Sequence, residues 1–288
     1  MCAVTRTRPD RCPGITRPWP ADDGGVLRVR LPGGRVAAPA LTALADVADD
    51  LGDGHLHLTS RANVQIRGVR DDAAAADRIA GAGLLPSPAH DLVRNIVCTP
   101  LTGLAGGVAD LRGVLADLDT ALLADDALAA LPGKFLFLLD DGRGDVVGAS
   151  HDLGAVATGP DRALVLIDGR AHRDVVLADV VPALIALAHR FLAVRGEGRS
   201  AAWHVHELAH GRDELGATTP VPLPQAAPPL PGSLAQDDGR WAYHRTWPDG
   251  VVPSAGVREI ISLATELVVT PWRGLIATNL KHRPEDLA

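Results

Sequence analysis

Four arginines and one glutamine, set at strand spacing near the amino end, are the residues best placed to do chemistry. Arg28 and Arg30 alternate with apolar residues through Gly25–Leu31, Gln65 and Arg67 alternate through Asn63–Arg67, and Arg61 stands just before them. Residues two apart in a strand share a face, so each pair presents its polar groups to one side. A guanidinium is a planar fork that grips carboxylates bidentately and keeps its charge beside any anion. Several on adjoining strands suit a large polyanionic ligand.

Further along, Arg94-Asn95 follows a double-proline turn where the chain enters new structure. Lys134 stands in Leu131-Pro132-Gly133-Lys134-Phe135, and alternation puts it on the strand face that carries Leu136 and Leu138. An ammonium among leucines is costly unless it is paired or reaches solvent at a cleft, so Lys134 is either a cleft cation or a snorkelling side chain. His204, His206 and His210 read as alternate positions of a strand, but Glu207 points the other way, so no third ligand converges and no metal site is expected. Gly142-Arg143-Gly144-Asp145 lacks the Lys-Ser ending of a phosphate loop and reads as a hairpin turn.

These side chains need strands to hold them and helices to cover the strands. The pattern predicts a strand at Gly25–Leu31 ending in the turn Pro32-Gly33-Gly34 and a helix over Pro39–Leu51. Strands follow at 55–59 and 63–67, then a helix over 71–82. A strand at 94–99, a helix over 108–123, a hairpin around 140–142, a strand at 163–167 and a helix over 177–195 come next. Six prolines between Gly216 and Gly232 mark an extended linker. Beyond it the opening pattern returns. Trp241–Thr246 reads as a strand, Trp247–Gly250 as its turn, Val257–Leu267 as a helix and Val268–Thr270 as a strand. Leu31–Gly34 matches Trp247–Gly250 and Thr59–Arg61 matches Thr270–Arg273, at offsets of 216 and 211 residues. The near-equal offsets imply a duplication whose two lobes pair about a pseudo-two-fold axis.

Composition limits the ligand. The formal charge is −7 and the pI about 5.8, which argues against a general nucleic-acid binder and makes any anion site local. At 288 residues and 47% apolar content the chain is long enough for two or three domains. Three widely spaced cysteines, Cys2, Cys12 and Cys98, fit a reducing compartment and fall short of the four thiolates of a cubane cluster. No apolar leader opens the chain and no long uninterrupted apolar run crosses it, so the expectation is a cytoplasmic protein without membrane or nucleic-acid partners.

Together, Leu31–Gly34, Thr59–Gly68, Arg94-Asn95, Leu131–Phe135 and Thr270–Arg273 resemble the sirohaem-type nitrite/sulfite reductase superfamily, and within it the precorrin-3B synthase family. The resemblance implies an α+β fold in which two ferredoxin-like units flank one α/β domain of the reductase type. The expected boundaries are 16–85 and 234–288 for the ferredoxin-like units, 88–215 for the α/β domain and 216–233 for the linker. It implies that Arg30, Arg61, Gln65, Arg67 and Arg94 hold tetrapyrrole carboxylates and that Lys134 and Arg94 act at the reaction centre. The family reaction is an oxygen-dependent hydroxylation and lactone formation on precorrin-3A, using a 4Fe-4S cluster, with NADH as formal donor and an electron-donor protein as partner. Sulfite reductases carry a second lysine where this chain has Leu136, which favours the precorrin reading over a sirohaem-dependent nitrite or sulfite reductase. The family's four cluster cysteines have no counterpart up to Ala288. The chain is therefore expected to be either a fragment or a non-catalytic tetrapyrrole-binding module.

Overall fold

The alternating segments do become strands, and the computed structural model describes them over residues 10–218 and 220–284; Cys2 lies outside these. The first repeat runs β1 (Trp19–Ala21), β2 (Gly24–Val29), β3 (Arg35–Ala37), α1 (Ala38–Leu51), β4 (His55–Leu58), β5 (Val64–Val69) and α2 (Asp72–Gly81). Leu27, Val29, Leu56, Leu58, Val64 and Ile66 turn one sheet face into the core, where Leu41, Leu44 and Val47 of α1 meet them. That leaves Arg28, His57, Gln65 and Arg67 on the opposite face by the period-two rule.

Next come β6 (Ile96–Cys98), α3 (Arg112–Leu123), β7 (Phe137–Asp140), β8 (Leu153–Gly159), β9 (Arg162–Ile167), β10 (Arg170–Val176) and α4 (Val180–Val194). Their sheet has the order β10-β9-β8-β7-β6. Pairing is parallel for β6 with β7 and β7 with β8, and antiparallel for the other two ladders. Leu177–Val194 is apolar and long enough to cross a membrane, but Val180, Leu184, Leu187 and Phe191 pack into the core over this sheet.

The second repeat comprises β11 (Gly232–Ala235), β12 (Trp241–Thr246), β13 (Val251–Pro253), α5 (Ser254–Ile261), β14 (Glu266–Val269) and β15 (Gly274–Leu280). The two copies exchange strands. β3 pairs antiparallel with β14, and β13 pairs antiparallel with β4, giving two five-stranded sheets, β1-β2-β5-β4-β13 and β11-β12-β15-β14-β3. The turns that launch the exchanged strands are alike. Gly33 and Asp249 have φ of 60° and 56°, and Gly34 and Gly250 follow at 73° and 71°. A Cβ on Gly34 would lie 1.9 Å from the Val269 carbonyl oxygen, and one on Gly250 would lie 2.9 Å from that of Leu58. Glycine is therefore required where each swapped strand crosses the other copy. Because of the exchange, Pro13–Asp91 and Pro228–Ala288 form one compact unit, and residues up to Cys12 with Leu92–Ala227 form another.

Several local expectations are corrected. The helix expected from Val108 begins at Arg112, because Gly103, Gly106 and Gly107 take positive φ and break the backbone before it. No hairpin sits at 140–142, since β7 and β8 are parallel. Instead the buried Asp140 carboxylate accepts N–H groups of Gly142, Gly144, Val146 and Val147 at 2.9, 2.9, 3.3 and 3.1 Å and curls the loop around itself. The segment bearing His204, His206 and His210 forms short 3-10 turns, not a strand. Helix α5 stops at Ile261, because Glu266–Val268 is drawn into the ladder with β3. Part of the proline-rich stretch is tied to the α/β unit, with the Ala226 N–H donating to the Gly144 carbonyl at 3.0 Å.

Candidate functional site

Strand register puts Arg28 opposite Gln65 and Gln65 opposite His57, a polar row across β2, β5 and β4. With its amide oxygen turned toward Arg28, Gln65 accepts from Nη2 at 2.7 Å and Nε at 3.2 Å. Gln65 thus aims the Arg28 guanidinium. At the end of the row, Asp53 Oδ2 lies 2.7 Å from His57 Nε2. Arg67 shares this face and, among the described residues, makes a loose contact, Nε to Asp23 Oδ2 at 3.8 Å, with the side chain 44% exposed.

Arg61 is carried by the turn that joins β4 to β5. The Thr59 hydroxyl accepts the N–H groups of Arg61 and Asn63 at 3.3 and 3.1 Å, and Ala62 takes φ of 56°. The second repeat builds the same turn. There the Thr270 hydroxyl accepts the Gly274 N–H at 3.0 Å and Arg273 takes φ of 61°. Among the described residues no carboxylate pairs with Arg61. Thr59 and its turn therefore hold up a cation whose charge is not spent within the fold.

Arg30 is placed differently from the expectation of a ligand-facing cation. It is buried, with Nη1 3.3 Å from the Pro13 carbonyl and 4.0 Å from Asp91. The same carboxylate accepts the Ile15 and Thr16 N–H groups at 2.7 and 2.9 Å. Arg30 and Asp91 together staple the segment that precedes β1.

The duplication supplies an internal control. By turn geometry and register, Arg28, Arg61, Gln65 and Arg67 of the first copy correspond to His244, Trp272, Ile276 and Thr278 of the second. One backbone is built twice, and only one copy carries the cations. Folding alone does not require them.

In the α/β unit the Arg94 and Lys134 motifs converge. The Asn95 side-chain amide donates to the Leu92 and Gly133 carbonyls at 3.1 and 3.0 Å, tying the entry to β6 to the turn before β7. Arg94 is committed elsewhere, with Nε and Nη2 bonded to the two oxygens of Asp119 on α3 at 2.7 and 2.8 Å. Arg94, which the resemblance assigns to tetrapyrrole carboxylates, is thus paired within the fold by a carboxylate of α3 that the sequence spacing did not reveal. Lys134 sits in the Pro132–Phe135 turn, not on the strand as its alternation suggested, with Nζ 5.0 Å from the centre of the Trp203 ring.

A buried acidic group was missed from the sequence. Asp140, Asp141 and Asp145 surround Arg143, whose Nη2 and Nε lie 2.9 and 3.9 Å from Asp141 and Asp145. Burial, opposed by Arg143 and reinforced by Asp140, pushes the Asp145 carboxyl up to about 7. Its signal was the polar run Asp140–Asp145 following the fully buried strand β7. The described cysteines, Cys12 and Cys98, are buried. No group of three His, Cys, Asp or Glu among the described residues could hold a metal ion. With three cysteines in all, this chain does not fit an iron–sulfur cluster of four thiolates.

Residues 20–76 match the nitrite/sulfite reductase ferredoxin-like half domain. The chain is 31% identical over 201 residues to a precorrin-3B synthase of Sinorhizobium sp, a match covering 66% of this chain and 43% of that protein. It is 31% identical over 157 residues to a ferredoxin–nitrite reductase of Leptolyngbya laminosa, covering 50% of this chain and 31% of the relative. The chain thus spans less than half the length of these relatives. In fold it resembles the Mycobacterium tuberculosis NirA protein, with a TM-score of 0.68 at 16% identity over 96% of this chain and 58% of the other.

Proposed function

We propose that this chain, which belongs to the nitrite/sulfite reductase superfamily, binds a polycarboxylate tetrapyrrole on the polar face of its first sheet. The observation that carries the reading is the asymmetry of the duplication. Arg28, Arg61, Gln65 and Arg67 occupy one copy, and His244, Trp272, Ile276 and Thr278 occupy the matching places of the other. Cations that the fold itself does not need are the ones a ligand needs. A uroporphyrin-derived ring bears carboxylates around its rim, and separated guanidiniums on a rigid sheet can meet several of them at once.

Within the superfamily, the precorrin-3B synthase reading fits better than that of a sirohaem-dependent nitrite or sulfite reductase. Leu136 is buried, and its N–H is bonded to Asp152 at 2.9 Å. That position offers no second cation for a small oxyanion. On this reading the chain is the tetrapyrrole-holding part of an oxidoreductase that hydroxylates and lactonises precorrin-3A with dioxygen. Its own residues bind and orient the substrate's carboxylates. Neither a cluster nor NADH is assigned to residues of this chain.

The test is titration with uroporphyrin, followed by quenching of its fluorescence. Arg61→Ala and Arg67→Ala should each weaken binding about fivefold to tenfold, in line with ~1–1.4 kcal/mol for an exposed charge-assisted contact. The exposed Arg190→Ala, on α4, should leave it unchanged. Equal affinity in all three variants would remove the assignment.

A further inference from the structure

We propose that Arg170, His206 and His210 form an anion site in the α/β unit that takes a phosphate group. The three side chains line one pocket of about 300 Å³ together with Arg212 and Asp213. Arg170 opens β10, the edge strand of its sheet, while His206 and His210 belong to the segment of the 3-10 turns Val205–Glu207 and Gly211–Leu215. Folding gathers what the sequence sets far apart. An arginine offers paired N–H donors with a fixed charge, and an imidazole offers an N–H in either protonation state. That set suits an oxyanion and, with a guanidinium inside it, repels a metal ion. Among the described residues no carboxylate lies within ion-pair distance of Arg170, His206 or His210, so their donors are not spent on carboxylates of the fold.

The walls of the pocket are held from behind. The His206 ring stacks on that of His204, with centres 5.1 Å apart and planes 11° from parallel, and the buried Asp152 carboxylate faces His204 Nδ1 at 3.1 Å. Between β9 and β10 the chain turns through Asp168 and Gly169, with φ of 47° and 73°, and Asp168 Oδ2 meets Arg212 Nη2 at 2.5 Å. That ion pair ties the second 3-10 turn to the start of β10. Just beyond, the Ala171 carbonyl accepts the Thr218 N–H and hydroxyl at 2.7 and 2.9 Å, and His172 Nδ1 donates to the Gly216 carbonyl at 2.8 Å. The segment that carries the histidines is therefore fastened to the strand that carries Arg170. Asp213 sets the selectivity. A carboxylate beside the cations repels an oxyanion with no proton and accepts a hydrogen bond from one that keeps a proton or carries a neighbouring hydroxyl. Inorganic phosphate meets the first condition at neutral pH and a phosphorylated polyol meets the second, whereas sulfate meets neither.

The site stands apart from the tetrapyrrole reading, which concerns the first sheet. Its test is titration of the whole chain with inorganic phosphate, glycerol 3-phosphate and sulfate at neutral pH and constant ionic strength. The histidine ring C–H signals are followed by NMR, with those of His206 and His210 identified from His206→Gln and His210→Gln. Both signals should move together and saturate with phosphate or glycerol 3-phosphate, the tighter of the two naming the source. Sulfate should bind at least about tenfold more weakly, and Asp213→Asn should narrow that gap. Arg170→Ala should weaken phosphate binding about tenfold, Arg170→Lys should recover part of the loss, and the exposed Arg199→Ala should change nothing. His210→Gln, on a separate segment, should weaken it about threefold and gives a second reading if Arg170→Ala does not fold. No saturation by either phosphate below about 10 mM overturns the inference, as do equal responses to phosphate and sulfate in the unaltered chain. Unchanged affinity in both Arg170→Ala and His210→Gln overturns it too.

Discussion

Replacing Asp145 by asparagine should make the protein more stable, and by an amount that depends on pH. Burial is the main cause of the raised carboxyl, from 3.8 to about 7, with Asp140 and Asp141 adding to it and Arg143 and the Thr99 hydroxyl opposing. The folded chain therefore keeps this proton in a range where the unfolded chain has released it. Between about pH 4 and 7 the native state binds the extra proton, so stability falls as pH rises through that window. Above about pH 7 the loss is complete. A displacement of roughly three pH units at ~1.4 kcal/mol each comes to on the order of 4 kcal/mol. The substituted amide cannot ionise and still offers an oxygen to the Thr99 hydroxyl, which now donates to Asp145 at 3.0 Å. Urea unfolding of both proteins, followed by tryptophan fluorescence, should show Asp145→Asn ahead at pH 5 and the gap widening by about 3 kcal/mol by pH 8. All other groups titrate alike in the two proteins and cancel. A gap that stays constant from pH 5 to pH 8 would refute a raised carboxyl at this position.

Two further outcomes follow from the packing. Gly34→Ala places a methyl 1.9 Å from the Val269 oxygen at positive φ and should cost more than about 2 kcal/mol in urea unfolding. Gly113→Ala, in α3 with nothing within 4 Å, should gain about 0.5–1 kcal/mol in the same assay. Asp119→Ala strands the buried Arg94 guanidinium and should lower stability by about 2–3 kcal/mol, with Asp119→Asn recovering part of the loss.

Much of the duplicated unit was legible from periodicity, because a strand with one buried face must alternate and a helix over it must repeat every three to four residues. The matched turns at Leu31–Gly34 and Trp247–Gly250 revealed the repeat, since glycine and proline mark backbone shapes that other residues resist. The face shared by Gln65 and Arg67 within their strand was also legible, for it follows from counting by two. Partners across the fold were not. Period two tells which way a side chain points but not which strand lies beside it, so the exchange of β3 and β13 between copies appeared only in three dimensions. The same limit hid Asp91 from Arg30, Asp119 from Arg94 and Trp203 from Lys134, pairs separated by 61, 25 and 69 positions. The sequence by itself determined where the cations stand along the chain and that the opening pattern recurs. Tertiary structure decided which of those charges are already neutralised, because an ion pair depends on distance in space and leaves no period along the chain.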